Sequence, residues 1–139
     1  MASYNKFNCF VEDLAEQVHN LQSDTLKVAL TSTLPVATNT VFANITEIAA
    51  GNGYTAGGTT ATVSSSAQTS GTYKLVLNDV TFTASGGAMA AFRYVVLYNS
   101  TPAAGNLIAW FDYGSSLTLN SGESLLVDFD ATNGVLTIA

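Results

Sequence analysis

Eight residues in the first half of the chain, GNGYTAGG (51–58), have the composition of a loop that could hold a phosphate. Gly51, Asn52 and Gly53 match the start of a dinucleotide-binding fingerprint, whose chemistry needs a helix directly after the loop. The following residues, TTATVSSS (59–66), are instead the β-branched and hydroxyl types that favour strands. A long surface turn is therefore favoured over a nucleotide site, and the remaining functional interpretation is a loop that contacts a partner. That candidate contact loop comprises Gly51, Asn52, Gly53, Tyr54, Gly57 and Gly58.

Two carboxylates near the C-terminus form a second candidate site. Asp128 and Asp130 are two residues apart, so in a strand they share one face, while Val127 and Phe129 share the other. Paired carboxylates can bind calcium or perform acid–base catalysis. Because no dense acidic loop surrounds them, a solvated strand face is favoured, with a weak cation site as the alternative.

The chain has one cysteine and one histidine, Cys9 and His19. A single helix over residues 4–21 would place them on different sides, which excludes a local nucleophile–base pair. One Cys and one His also fall short of a zinc ligand set, and no G-x-S-x-G motif occurs. We therefore expect no enzyme activity, no cofactor and no metal, and we expect Cys9 to be exposed or covered by a neighbouring molecule.

Aromatic residues are concentrated in FRYVVLYN (92–99) and LIAWFDY (107–113). Such clusters can stack on sugars, but at this spacing core and interface packing is favoured. Both segments are apolar on their two faces, which is typical of strands that are covered on both sides. A second apolar face left open would exceed what monomers usually expose, so a homo-oligomer is expected, with a trimer as the leading stoichiometry.

The elements that would position these residues begin with a helix over about 4–21. Its apolar residues recur at helical spacing and form one stripe, made of Phe7, Phe10, Val11, Leu14, Val18 and Leu21. After residue 24 the period changes to the alternation of strands. The pattern in TYKLVLNDVTFTA (72–84) predicts one strand with a bulge at Asn78 and Asp79, and 59–70 is polar enough for an edge strand. Asn133-Gly134 is a strong hairpin signal.

Together these patterns predict a single domain over 1–139, mainly β. The helix would cover about 4–21, and an antiparallel β-sandwich of about seven or eight strands would cover about 25–139. Charged residues make up 10% of the chain, the net charge is −6 and the four basic residues are scattered. This distribution argues against nucleic acid. No apolar run is long enough to span a membrane, and MASYNKFNCF lacks a basic segment followed by an apolar run, so it is not expected to be a secretory signal.

The order of segments resembles that of a known family. KFNCFVEDLAEQVHNLQSDTLKVAL leads to NITEIAAGNGYTAGG, followed by KLVLNDVTFTASGG, FRYVVLYN, LIAWFDYGSSLTLNSGESLLVDFD and NGVLTIA. This series is similar to small tailed-bacteriophage virion proteins, commonly described as structural or head-decoration proteins. The resemblance implies a non-enzymatic protein that binds the major capsid protein and stabilises the head shell. It implies a location on the capsid exterior after synthesis in the host bacterial cytoplasm. The alternative is a tail or fibre module that binds a host-surface glycan.

Overall fold

The computed structural model describes residues 2–139, which form ten strands, one α-helix and one 3-10 helix. The chain is mainly β with antiparallel sheets in a sandwich-like arrangement, so the predicted fold class is confirmed. The strands are β1 (Ser3–Lys6), β2 (Leu26–Thr31), β3 (Thr59–Ala61), β4 (Val63–Thr69), β5 (Thr72–Leu77), β6 (Val80–Thr83), β7 (Phe92–Asn99), β8 (Leu107–Leu117), β9 (Ser124–Val127) and β10 (Leu136–Ile138). The helices are α1 (Cys9–Ala15) and the 3-10 turn Phe42–Asn44.

Three antiparallel sheets make up the fold. A five-stranded sheet has the order β1-β8-β7-β2-β3, a three-stranded sheet has the order β10-β5-β4, and β6 pairs with β9. The polar segment 59–70 supplies β3 and β4, each at the end of its sheet, as its composition predicts. The largest apolar cluster fills the space between the five-stranded sheet and the two smaller ones.

The N-terminal helix is shorter than its apolar spacing predicts. Residues Ser3–Lys6 form β1, which pairs with β8, and α1 covers only Cys9–Ala15. Pairing with β8 satisfies the backbone of the first residues, and Gln17 adopts a φ of 65° that ends helical geometry. Three residues of the stripe are still buried. Phe7 lies in the linker before α1, Phe10 lies in α1, and Leu21 lies in a turn that follows it.

The segment 72–84 does not form one bulged strand. The chain leaves the three-stranded sheet after Leu77, passes through Asn78 and Asp79, and re-enters as β6 against β9. The four apolar residues of this segment are all buried: Leu75, Leu77, Val80 and Phe82. Switching sheets achieves what a bulge would, because both apolar pairs then face the same core.

The turn at Asn133 and Gly134 does not join paired strands. β9 pairs with β6 and β10 pairs with β5, so the predicted hairpin is wrong. Gly134 N donates to Asp130 O at 2.7 Å, and Val135 N donates to Leu75 O at 2.8 Å. The turn therefore delivers the last strand to a different sheet. The strand number is ten, against the expected seven or eight, because β1 is added and because 59–70 and 72–84 each divide into two strands.

Both faces of the central strands are covered within the chain. A second apolar cluster lies on the outer face of the five-stranded sheet, where Phe7, Tyr94, Tyr98 and Trp110 are buried. Its cover comes from 37–45, which is tied down by hydrogen bonds such as Leu107 N to Thr40 O at 3.0 Å. An open apolar face on these strands, the original reason to expect an oligomer, is therefore absent from the described residues.

Candidate partner-contact site

The glycine-rich loop is held tightly against the sheets. A Cβ at Gly53 would overlap the carbonyl oxygen of Thr83, and a Cβ at Gly58 would overlap that of Val28. Both glycines have positive φ, at 98° and 74°. The loop leads into β3 and not into a helix, in agreement with the turn interpretation. Glycine here permits close approach of two backbone segments.

A half-buried carboxylate organises the inner half of the loop. One oxygen of Glu47 accepts hydrogen bonds from the Tyr54 hydroxyl at 2.7 Å and from Gly57 N at 2.8 Å. The Tyr98 hydroxyl donates to Gly57 O at 2.7 Å. Burial, followed by the hydrogen bond to Glu47, raises the pKa of Tyr54. Tyr54 is therefore a structural residue, and of the six predicted contact residues only Gly51, Asn52 and Gly53 are exposed.

The paired carboxylates lie in a turn and not along a strand. Asp130 has a φ of 44°, and its Oδ1 accepts hydrogen bonds from the backbone N–H groups of Thr132 and Asn133. Asp128 Oδ1 accepts a bond from Asp130 N at 2.8 Å. The prediction that the two share a strand face is wrong, because their side chains bond the local backbone in Asx turns. Within residues 2–139 no group of three or more His, Cys, Asp or Glu side chains could hold a metal ion.

His19 is buried in a polar cluster that the sequence pattern does not reveal. Asn99 Nδ2 lies 3.1 Å from His19 Nδ1, and Asp13 Oδ2 lies 3.8 Å from its Nε2, which has no hydrogen-bond partner among the described residues. Asp24 accepts a bond from Asn99 at 2.6 Å. Burial lowers the pKa of His19, while Asp13 and Asp24 oppose that shift. Asn99 lies 80 positions from His19, so no local spacing could have signalled the contact.

Cys9 faces its own chain. Its Sγ lies 3.6 Å from Leu107 O and 3.7 Å from the carbonyl oxygens of Asn39 and Thr40. Burial, followed by the charge of Asp13, raises the pKa of the thiol to about 11. The side chain is only partly buried, but its contacts are internal, which differs from the expected exposed or neighbour-covered position.

The aromatic cluster mainly packs the interior. Phe42 stacks on Tyr98 with ring centroids 4.2 Å apart, and Phe7 contacts Trp110 at 4.6 Å. Trp110 is 8% exposed, whereas Tyr113 is 48% exposed. Of these two rings, Tyr113 is therefore the one available to an external ligand.

A continuous apolar surface lies elsewhere on the molecule. One groove of about 780 Å³ runs along β1, α1 and β10, and a second of about 620 Å³ runs along β8, β9 and the turn after it. The grooves share Tyr4, Gly134 and Val135. We call their combined lining the apolar face. It holds five of the seven large hydrophobic side chains that are exposed within residues 2–139: Tyr4, Val11, Tyr113, Leu126 and Ile138.

Sequence reasoning missed the apolar face because its residues come from separate segments. Val11 belongs to the stripe assigned to the core, but it is 53% exposed, whereas its neighbour Phe10 on the same helix is buried. Leu126 lies on β9, whose burial alternates, and it occupies an outward position. No exposed residue of the apolar face stands out in its own segment. The pairing of β1 with β8 and of β10 with β5 brings these residues together on one surface.

In residues 2–139, the helices fall short of the length and apolarity that a membrane crossing requires. Comparisons with protein-family models, with curated proteins and with solved structures gave no match.

Proposed function

We propose that this chain is a non-enzymatic bacteriophage structural protein, a capsid decoration or cement protein that binds the major capsid protein on the outside of the head. In this proposal it acts as a homo-oligomer, with a trimer as the leading stoichiometry, and uses neither nucleic acid nor membrane as a partner. The ordered sequence segments that resemble small phage virion proteins support this assignment.

The observation that carries the proposal is the apolar face. Exposed apolar patches of this kind are typical of surfaces that bind other proteins. Meanwhile the side chains that could do chemistry are engaged internally: Cys9 faces three carbonyl groups, His19 is buried and Asp130 caps a turn. This combination suits a protein whose role is to bind.

The proposed mechanism is mechanical. A protein that bridges neighbouring capsid subunits adds binding free energy that is lost when the subunits separate, so it stabilises the assembled shell. Gly51, Asn52 and Gly53 remain the candidate loop contact with the capsid, since they are the exposed members of a loop that is anchored through Gly58 and Tyr54.

Purified phage particles provide the test. Mass spectrometry should detect the chain in mature heads, and a particle reconstruction should place its density on the outer shell. Heads assembled without it should release DNA at a lower temperature than complete heads. Absence of the chain from the head would overturn the proposal.

One observation favours a second candidate, a tail or fibre module that binds a host glycan. The exposed ring of Tyr113 lines the same groove as Asp128 and Asp130, and an aromatic ring beside hydrogen-bonding groups can stack on a sugar. A glycan array with the purified protein tests this candidate. A specific signal that is lost on Tyr113→Ala, and retained on Leu34→Ala, would support it over the capsid assignment.

A further inference from the structure

We infer that the apolar face is the site at which a second copy of this chain docks. The inference deepens the homo-oligomer part of the proposed function by assigning it a surface, and it does not depend on capsid binding. The apolar face takes the place of the central strands as the expected surface for self-association, because both faces of those strands are covered within the chain.

The exposed apolar side chains of the molecule are concentrated on the apolar face. Val11 and Ile138 line the first groove, Tyr113 and Leu126 line the second, and Tyr4 lies in both. Concentrating them on one face, instead of scattering them, is characteristic of a protein interface and not of an ordinary monomer surface.

Edge strands of two sheets border the same face. β1 ends the five-stranded sheet and β10 ends the three-stranded sheet, and both line the first groove. Natural edge strands usually carry charges, proline or bulges that prevent pairing with another chain. β1 has Lys6, but β10 consists of Leu136, Thr137 and Ile138 and has none of these features. Its edge is therefore open to pairing with an uncharged strand of a partner.

The charges that line the two grooves are opposite in sign, and this identifies a second copy as the occupant. Lys6 lines the first groove and has no ion pair within residues 2–139, whereas Asp128 and Asp130 line the second groove. These charges lie on either side of the shared residues Tyr4 and Val135. A second copy can therefore place its acidic groove against Lys6 while its own lysine meets Asp128. The face is then complementary to itself, so this contact gives a two-fold dimer in place of the trimer taken above as the leading stoichiometry.

The same pattern disfavours an anionic lipid surface, because Lys6 is the one basic side chain that lines either groove. Polybasic clusters are what attract such membranes.

Sedimentation of the purified chain across micromolar to millimolar concentrations tests the inference. The wild type should self-associate. Leu126→Glu and Val11→Glu should each raise the dissociation constant about tenfold or more, because each puts a charge into a buried apolar contact.

The chain offers closely matched controls outside the face. Leu34 is 59% exposed against 55% for Leu126, and Val36 is 55% exposed against 53% for Val11. Leu34→Glu and Val36→Glu add the same charge to similarly exposed side chains, so self-association should persist. Near-UV circular dichroism verifies that all four variants stay folded.

A charge exchange tests the orientation of the two copies. Lys6→Glu alone should weaken association, and adding Asp128→Lys should restore it, which a purely structural role for either residue would not produce. Asp130 is left unchanged because its carboxylate accepts three hydrogen bonds within its turn, whereas that of Asp128 accepts one, from Asp130 N.

A wild type that stays monomeric at millimolar concentration would overturn the inference, as would equal effects of Leu126→Glu and Leu34→Glu. Failure of the chain to bind phage heads, with self-association intact, would instead count against the proposed function alone.

Discussion

The glycine loop and the apolar face differ in where their binding groups point. In the loop, the inner residues Tyr54, Gly57 and Gly58 turn their polar groups and backbone inward, onto Glu47 and β2. On the apolar face, side chains from strands with conventional patterns are left exposed. The contrast teaches that a dense run of glycines in a β protein marks close packing of backbone more readily than it marks a ligand, whereas a contact surface can leave no local signature.

The largest loss of stability that tests this comparison is expected on substitution of Gly58. Gly58→Ala should destabilise the fold by about 3 kcal/mol or more, since the new Cβ overlaps Val28 O and φ is positive. Gly51→Ala is the matched control, because its φ is also positive but no atom lies within 4 Å of a new Cβ. It should cost about 1–2 kcal/mol. Urea unfolding measures both free energies of unfolding. Equal losses would mean that glycine is needed at position 58 only for its positive φ and not for close packing against Val28.

Removing one hydroxyl group tests the inner anchor of the loop. Tyr54→Phe should cost about 1–3 kcal/mol, because Glu47 loses a donor and Leu30 N loses an acceptor inside the protein. Tyr113→Phe on the apolar face is the control, and its free energy of unfolding should change by less than about 0.5 kcal/mol. Thermal and urea unfolding of the two variants provide the comparison. A negligible loss for Tyr54→Phe would contradict the anchoring role.

The outer half of the loop should respond more weakly. Asn52→Ala should cost about 1 kcal/mol, since it removes one exposed hydrogen bond to Ala88 O at 2.8 Å and places Ala at a φ of 51°. Asn52→Gly is the informative second substitution, because it removes the same hydrogen bond without the penalty of placing Ala at a positive φ. If the two variants lose equal stability in urea unfolding, the hydrogen bond accounts for the effect.

The smallest expected effect is the pH dependence of folding stability that His19 produces near the apolar face. The ring of His19 lies 5.5 Å from that of Phe10, which lines the first groove. Its pKa is lowered in the folded state, so below about pH 6.5 the unfolded chain binds more protons. Its contribution to stability is therefore complete above about pH 6.5 and decreases as the pH falls towards the folded-state pKa. Asp13 and Asp24 oppose the shift, which keeps the change small.

Urea unfolding at several pH values measures this dependence, and His19→Gln should remove that portion of the slope. NMR shifts with the midpoint of the His19 titration should be larger at Phe10, whose ring lies beside that of His19, than at Tyr54. Larger shifts in the glycine loop would contradict the arrangement.

Much of the fold could be predicted because alternation and turn chemistry are local. The strand class, the edge position of 59–70 and the burial of 92–99 follow from residue types within each segment. Helix length could not be predicted, because the competing β1–β8 pairing joins residues about a hundred positions apart. The Asn133-Gly134 turn failed as a hairpin for the same reason: the partner of β10 is β5.

The candidate site could be predicted only where one segment contains it. The glycine loop was located correctly as a turn, but the inward direction of Tyr54 depends on Glu47 and on Leu30 in a distant strand. The apolar face and the polar cluster around His19 require tertiary pairing, which no window of sequence reports.

The thiol of Cys9 has a practical consequence for chemical labelling. With its pKa raised to about 11, on the order of one molecule in ten thousand carries the reactive thiolate at neutral pH. Maleimide dyes and spin labels should therefore react slowly with the native chain. A cysteine introduced at an exposed position such as Ser70 could then be tagged selectively without first removing Cys9.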